Sequence, residues 1–199
     1  MKIQVVKASV VLFAAIHGAG SLRAETFRID QDKSIVRWNG KKITGEHHGT
    51  IAIKSGVFDV VNKNITGGTV EIDMTSILNE DIKDAAMNGR LVGHLKSDDF
   101  FSVEKFPVSK LQLREIKNLK GNEVEYTGDL TIKGITHPVT FRAVTVVEGN
   151  NLRANGKITI NRTKYDVRYG SGAFFSNLGD KLIYDDFTLD FNIEAGKNE

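Results

Sequence analysis

The chain has no cysteine, only two prolines, and no apolar run of the roughly 20 residues that a membrane-spanning helix requires. Without cysteine there is no disulfide scaffold, no zinc finger, no thiol chemistry and no lipidated cysteine anchor. An excess of one charge sign is missing as well. The 27 Lys and Arg face 25 Asp and Glu, and Lys2, Lys7 and Arg23 lie in a front segment that carries no acid. Without that segment 24 basic side chains face 25 acidic ones, so electrostatics make no case for nucleic acid as a partner. At 40% hydrophobic and 26% charged over 199 residues, the composition is that of one globular domain, not a collagen-like or disordered chain.

Residues 1–24 read as a secretory signal. Lys2 and Lys7 form the positive front, Ala8 to Ile16 the apolar core, and Leu22-Arg23-Ala24 a small-residue cleavage site. The mature chain, 25–199, is therefore expected to be exported, to reach a bacterial periplasm, and to make no stable membrane insertion.

Period-two alternation dominates that mature chain. Leu152, Ala154, Gly156, Ile158 and Ile160 alternate with wholly polar residues, and Phe187, Leu189, Phe191 and Ile193 repeat the pattern. So do Val70, Ile72 and Met74, the pair Leu130 and Ile132, and the shorter pairs Phe27 with Ile29 and Val139 with Phe141. Each such segment is a strand with one buried and one wet face, which implies an antiparallel sheet of about eight or nine strands. Asn39-Gly40, Gly67-Gly68, Gly121-Asn122 and Gly149-Asn150-Asn151 read as turns, and Pro107 and Pro138 as strand starts.

From Asn79 to Phe101 the apolar residues fall at helical spacing. Asn79 is a candidate cap, Gly89 and Gly93 weaken the helix so that one helix or two short pieces fit the pattern, and Ser97-Asp98-Asp99 looks like a second cap before Phe100-Phe101. An all-antiparallel sheet of this size closes or doubles over to protect its edges, and a helical insertion at one end suits a barrel. The expected fold is an all-β antiparallel barrel with a short helical insertion.

Residues for catalysis are hard to find. His47 and His48 are adjacent and diverge on a strand, and His94 and His137 lie far from them in sequence, so no metal site is expected. Gly170-Ser171-Gly172 lacks the five-residue nucleophile pattern. Asp98-Asp99 and Asp185-Asp186 are neighbours that diverge, and no phosphate loop occurs. Neither an enzyme nor a cofactor is expected. What remains is apolar: Phe27, Trp38, Met74, Phe141 and Phe187 on inward faces, with Leu95, Phe100 and Phe101 from the helical segment. Gly128, Ala154 and Gly156 interrupt these large residues, marking either room for a ligand or bends in a filled core.

The chain resembles the YceI-like domain family, described as a lipocalin-like barrel binding polyisoprenoids. The resemblance runs from Phe27-Arg28-Ile29-Asp30 and Ser34-Ile35-Val36-Arg37-Trp38 to the last alternating strand. It is carried by Leu95-Lys96-Ser97-Asp98-Asp99-Phe100-Phe101, Gly128-Asp129-Leu130-Thr131-Ile132-Lys133-Gly134-Ile135-Thr136, and Ile160-Asn161-Arg162-Thr163-Lys164-Tyr165. Many members carry a histidine soon after the opening aromatic strand, whereas here Trp38 is followed by Asn39-Gly40-Lys41-Lys42 and histidine returns only at His47. The resemblance implies a polyisoprenoid or other long-chain amphiphile inside the barrel.

Together these readings predict an exported, non-enzymatic carrier or sequestering protein. Its ligand-binding residues would be Phe27, Trp38, Met74, Leu95, Phe100, Phe101, Gly128, Phe141, Ala154, Gly156, Tyr165 and Phe187. Arg162, Lys164 and Tyr165, near a strand end, are either a polar mouth for a head group or a solvated edge. The alternative is a structural or stress-response protein with a filled core that acts through its surface. A homodimer stays open.

Overall fold

The computed structural model describes residues 24–197, so the expected signal segment lies outside the described residues except for Ala24. The strands are β1 (Glu25–Ile29), β2 (Ile35–Lys42), β3 (Gly45–Val61), β4 (Asn64–Asp73), β5 (Val108–Asn118), β6 (Glu123–Ile132), β7 (Ile135–Glu148), β8 (Asn151–Asn161) and β9 (Ile183–Lys197). One helix, α1 (Ala85–Lys96), stands between β4 and β5.

The sheet runs β1-β3-β2-β9-β8-β7-β6-β5-β4, and the additional pairing of β3 with β4 closes it. All ladders are antiparallel, as the alternation requires. β1 and β2 share one position end to end. Arg28 and Phe27 pair with Val57 and Phe58 at the far end of β3, while Val36 to Lys42 pair with Ile51 to Gly45 at its start. β9 flanks the same two strands from the other side. The closed barrel thus has eight strand positions, a size whose interior is either filled by side chains or holds one small ligand.

Register irregularities re-aim the inward face. In β3 a shift between Ile53 and Ser55 moves the inward set from Ile51 and Ile53 to Gly56, Phe58 and Val60. The end of the barrel away from α1 is a solid core, with Phe27 and Leu152 at 0% exposure and Val60 at 1%.

The turn expectations held only in part. Gly121 and Gly149 do turn the chain at positive φ. Asn39-Gly40 lies inside β2, Gly67-Gly68 inside β4, and Pro138 is the fourth residue of β7. The β3–β4 and β6–β7 hairpins turn instead at Asn62-Lys63 and Lys133-Gly134, both pairs with two positive φ values.

The helical segment also differs from its expected form. Asp84, not Asn79, caps α1 by accepting from the Met87 N–H at 2.8 Å. The helix runs unbroken through Gly89 and Gly93, and Ser97 ends it rather than opening a second piece. Residues 77–81 form an extended strap, because their backbone finds partners on β3: Leu78 N–H donates to Thr50 O and Glu80 N–H to His48 O, each at 3.0 Å. No residue of α1 is buried.

Candidate ligand cavity

Under α1 and the strap the barrel is hollow. An upper chamber of about 180 Å³ is lined by residues of β2, β3, β4, α1, the 100–101 turn and β9. A deeper chamber of about 100 Å³ follows toward the closed end. The two adjoin, sharing Ile72, Ser109, Leu130, Ile160 and Leu189 as walls. Its surface is almost wholly apolar, and the polar and charged groups that border it, notably Lys41, Lys42 and His47, stand at the α1 end.

Eight of the twelve residues expected from the sequence border the hollow. Trp38, Met74, Leu95, Phe100, Phe101 and Phe187 line the upper chamber, and Phe141 and Ala154 the deeper one. Phe100 and Phe101 both face the upper chamber. The Phe100 ring also meets the edge of His94 at 4.9 Å, while Phe101 meets Phe187 at 6.2 Å.

The other four lie elsewhere. Phe27 is sealed in the solid end. Tyr165 is 3% exposed and packs edge-on against His137 at 5.5 Å, outside the chambers, and burial raises its phenol pKa. Gly128 leaves no room: a Cβ there would stand 2.7 Å from the Gln112 carbonyl oxygen. Nor does Gly156, whose Cβ would stand 2.6 Å from Arg142 O and 2.8 Å from the Phe191 ring. Gly156 pairs directly with Phe191, so the missing side chain makes space for that ring and not for a ligand.

The expected polar mouth takes another form. Arg162 borders the upper chamber but is 4% exposed, and its guanidinium is consumed by the fold. It donates to the carbonyls of Val167 (2.9 Å), Tyr169 (2.8 Å), Ile183 (2.9 Å) and Tyr184 (3.1 Å), stapling the 166–169 segment to the start of β9. Burial lowers its basicity against the opposing charge of Asp185. Lys164 is exposed and does not line either chamber.

His47 is the inward polar residue that the sequence reading passed over. On β3 it shares a face with Gly49 and Ile51, and its Nδ1 lies 2.7 Å from Asp81 Oδ2. The parity of β3 signals it: Ile51 inward implies His47 inward and His48 outward. The other carboxylate oxygen of Asp81 accepts from the His48 backbone N–H at 2.9 Å and from the Asn79 amide. Burial pushes the Asp81 pKa up, but these donors and His47 outweigh it and hold the carboxyl at about 2. Trp38 secures the same strap by donating its indole N–H to Leu78 O at 3.0 Å. Gly40 was missed because Asn39-Gly40 reads as a turn, whereas both residues lie inside β2. It faces inward two residues beyond Trp38, borders the upper chamber, and a Cβ on it would meet no atom within 4 Å.

A closed antiparallel barrel with an apolar hollow, roofed at one end by a helix and a strap, is the architecture of barrels that enclose a small apolar ligand. The chain belongs to the YceI-like domain family, which matches residues 27–195. A UPF0312 protein of Pseudomonas putida is 28% identical over 96% of this chain and 97% of the relative. Another, from Shewanella denitrificans, is 41% identical over 29% of this chain and 30% of its own length. Among solved structures, BcnA of Burkholderia cenocepacia is 21% identical, with a TM-score of 0.59 over 83% of this chain and 98% of its own. A structure described as a polyisoprenoid binding domain from Saccharophagus degradans is 12% identical, with a TM-score of 0.59 over 88% and 100%. At these identities the likeness to the two structures is one of fold.

Proposed function

We propose that this protein is an exported, non-enzymatic binding protein that holds the apolar chain of an isoprenoid or similar lipid in the barrel and acts as a carrier or sequestering agent. One observation carries the reading: two adjoining apolar chambers under a roof helix of which no residue is buried. The polyisoprenoid-binding description of the Saccharophagus degradans structure supports the same ligand class.

Affinity comes from burial, at about 25 cal/mol per Å² of apolar surface, and requires no charged contact. With α1 in place the chambers, at about 180 and 100 Å³, are small beside the roughly 300–1,000 Å³ of ordinary ligand pockets. A long chain therefore enters by displacing α1 outward, and the solid end around Phe27 stays shut. The charged front and apolar core of residues 1–24 support delivery to the periplasm.

Native mass spectrometry of protein purified from its own host tests both parts. The expected result is a chain beginning at Glu25 with a hydrophobic adduct that denaturation releases. A bare mass under gentle conditions would overturn the carrier, and an intact leader would overturn export.

A further inference from the structure

Eight large apolar side chains are exposed among the described residues, and seven of them stand at the α1 end of the barrel. Val144, near the opposite end, is the exception. Tyr184 is 49% exposed on the outer face of β9 at a position that also borders the upper chamber, so exposed apolar surface stands beside the hollow, next to Lys41, Lys42 and His47. Ile43, in the β2–β3 turn, is tied beside it by its N–H to Leu182 O at 3.1 Å. Tyr169 packs on His94 of α1 at 4.5 Å.

From Tyr169 a loop continues to Gly179 without one charged residue, carrying Phe174 and Phe175 at 45% and 50% exposure. Arg168 and Asp180 bound this uncharged tip. Arg168 is neutralised by Asp166 at 2.6 Å and lies over the Phe174 ring at 4.8 Å.

We infer that this rim docks on the surface of a phospholipid bilayer, with the 169–179 loop inserted among the lipids and the chamber opening toward the membrane. Three features single out a bilayer. The patch lies at the roofed end of an apolar hollow. Its tip carries no charge over residues 169–179, so placing it among lipids desolvates no charged side chain. And its tyrosines and phenylalanines suit the membrane–water boundary, where amphipathic rings collect. The inference rests on the carrier reading for its purpose but not for its test.

The test is flotation of the chain from Glu25, which contains the whole closed barrel, with vesicles of phosphatidylethanolamine and phosphatidylglycerol. The wild type is expected to float, and to do so equally in high salt because the contact is apolar. Phe174→Ser/Phe175→Ser should weaken binding about tenfold or more, while Val144→Ser should not change it. Circular dichroism on all three checks that the fold is intact. A wild type that stays unbound, or equal losses in both variants, would overturn the inference. So would a solution dimer that Phe174→Ser/Phe175→Ser dissolves, since the patch would then join two copies. Native mass spectrometry separates the two readings: lipid retained without vesicle binding overturns docking alone, and vesicle binding by a protein that never carries lipid overturns the carrier alone.

Discussion

A Cβ placed on Gly49 would stand 1.9 Å from the carbonyl oxygen of Leu78. No real side chain tolerates that distance, so the strap lies on β3 only because residue 49 is glycine. The same Leu78 carbonyl accepts the Trp38 indole N–H, and Trp38 is the register partner of Gly49. Two strands and the strap are thus fixed at one point above the upper chamber. Gly49→Ala should lift the strap and break the Leu78–Thr50 and Trp38–Leu78 hydrogen bonds, at about 1 kcal/mol each. Urea denaturation should show a loss of about 2 kcal/mol or more, and the emission of the single tryptophan should shift. An unchanged midpoint and spectrum would mean that the strap is not held there.

The strap is also fastened by charge. Asp81 has a folded-state pKa of about 2, below its ordinary value near 3.8. A depressed carboxylate pKa means the folded state holds the proton less tightly than the unfolded one. The stabilisation it gives is therefore complete above about pH 4 and is lost as pH falls through about 2. Asp81→Asn should unfold more easily than the wild type at pH 6, with the gap narrowing below pH 4 and closing near pH 2. Urea midpoints measured across that range check it; a gap that stays constant with pH would assign the loss to packing instead of charge.

The strands were legible because alternation over Leu152 to Asn161 or Phe187 to Glu194 has one physical meaning, and the ladders confirm both segments. The eight-position closure was less so. That β1 and β2 fill one position depends on the long β3 bending at Lys54, and no local pattern announces a bend. Asn79 and Asp84 are both good caps, and what decides between them is that His48 and Thr50 on a distant strand take the backbone of residues 78–80. Inward glycines were ambiguous for the same reason. Gly156 reads as a gap on an inward face and Asn39-Gly40 as a turn, yet Gly156 lies under Phe191 while Gly40 is inward and borders open space. Whether an absent side chain leaves room depends on a neighbour from another strand.

Helix α1 is a weak roof by composition. It has 12 residues, two of them glycine, and none is buried. Short helices are marginal without tertiary packing, and an interior glycine costs about 1 kcal/mol relative to alanine. Its backbone amides should therefore exchange with solvent faster than those of β8 or β9 in a hydrogen-exchange experiment. A Cβ at Gly89 or Gly93 meets nothing within 4 Å, so alanine fits at both. Gly89→Ala/Gly93→Ala should slow exchange across 85–96 and stabilise the roof by about 1 kcal/mol or more. If the roof gates the hollow, lipid release should slow with it. Unchanged exchange would place the stability of α1 in contacts outside the helix.

The two inward glycines provide the sharpest contrast. Gly40 lies on the wall of the upper chamber, adopts no left-handed φ, and would give a Cβ open space. Gly40→Leu adds bulk where the bound chain would run. Without ligand it should unfold within about 1 kcal/mol of the wild type, or be more stable, because the added methyl and methylene groups become buried without a clash. It should also lose most of the retained lipid. Gly156→Leu meets Arg142 O, the Phe191 ring and Ala143 at 2.6–3.0 Å, and backbone cannot step aside. Overpacking of this kind typically costs about 1–3 kcal/mol, and a collision with a carbonyl belongs at the upper end. Melting curves of the lipid-free variants, set beside the lipid each retains on purification, measure both effects. If Gly40→Leu melts as low as Gly156→Leu, the space beside Gly40 is not part of a usable cavity. If Gly40→Leu keeps its lipid in full, the ligand does not pass through the upper chamber.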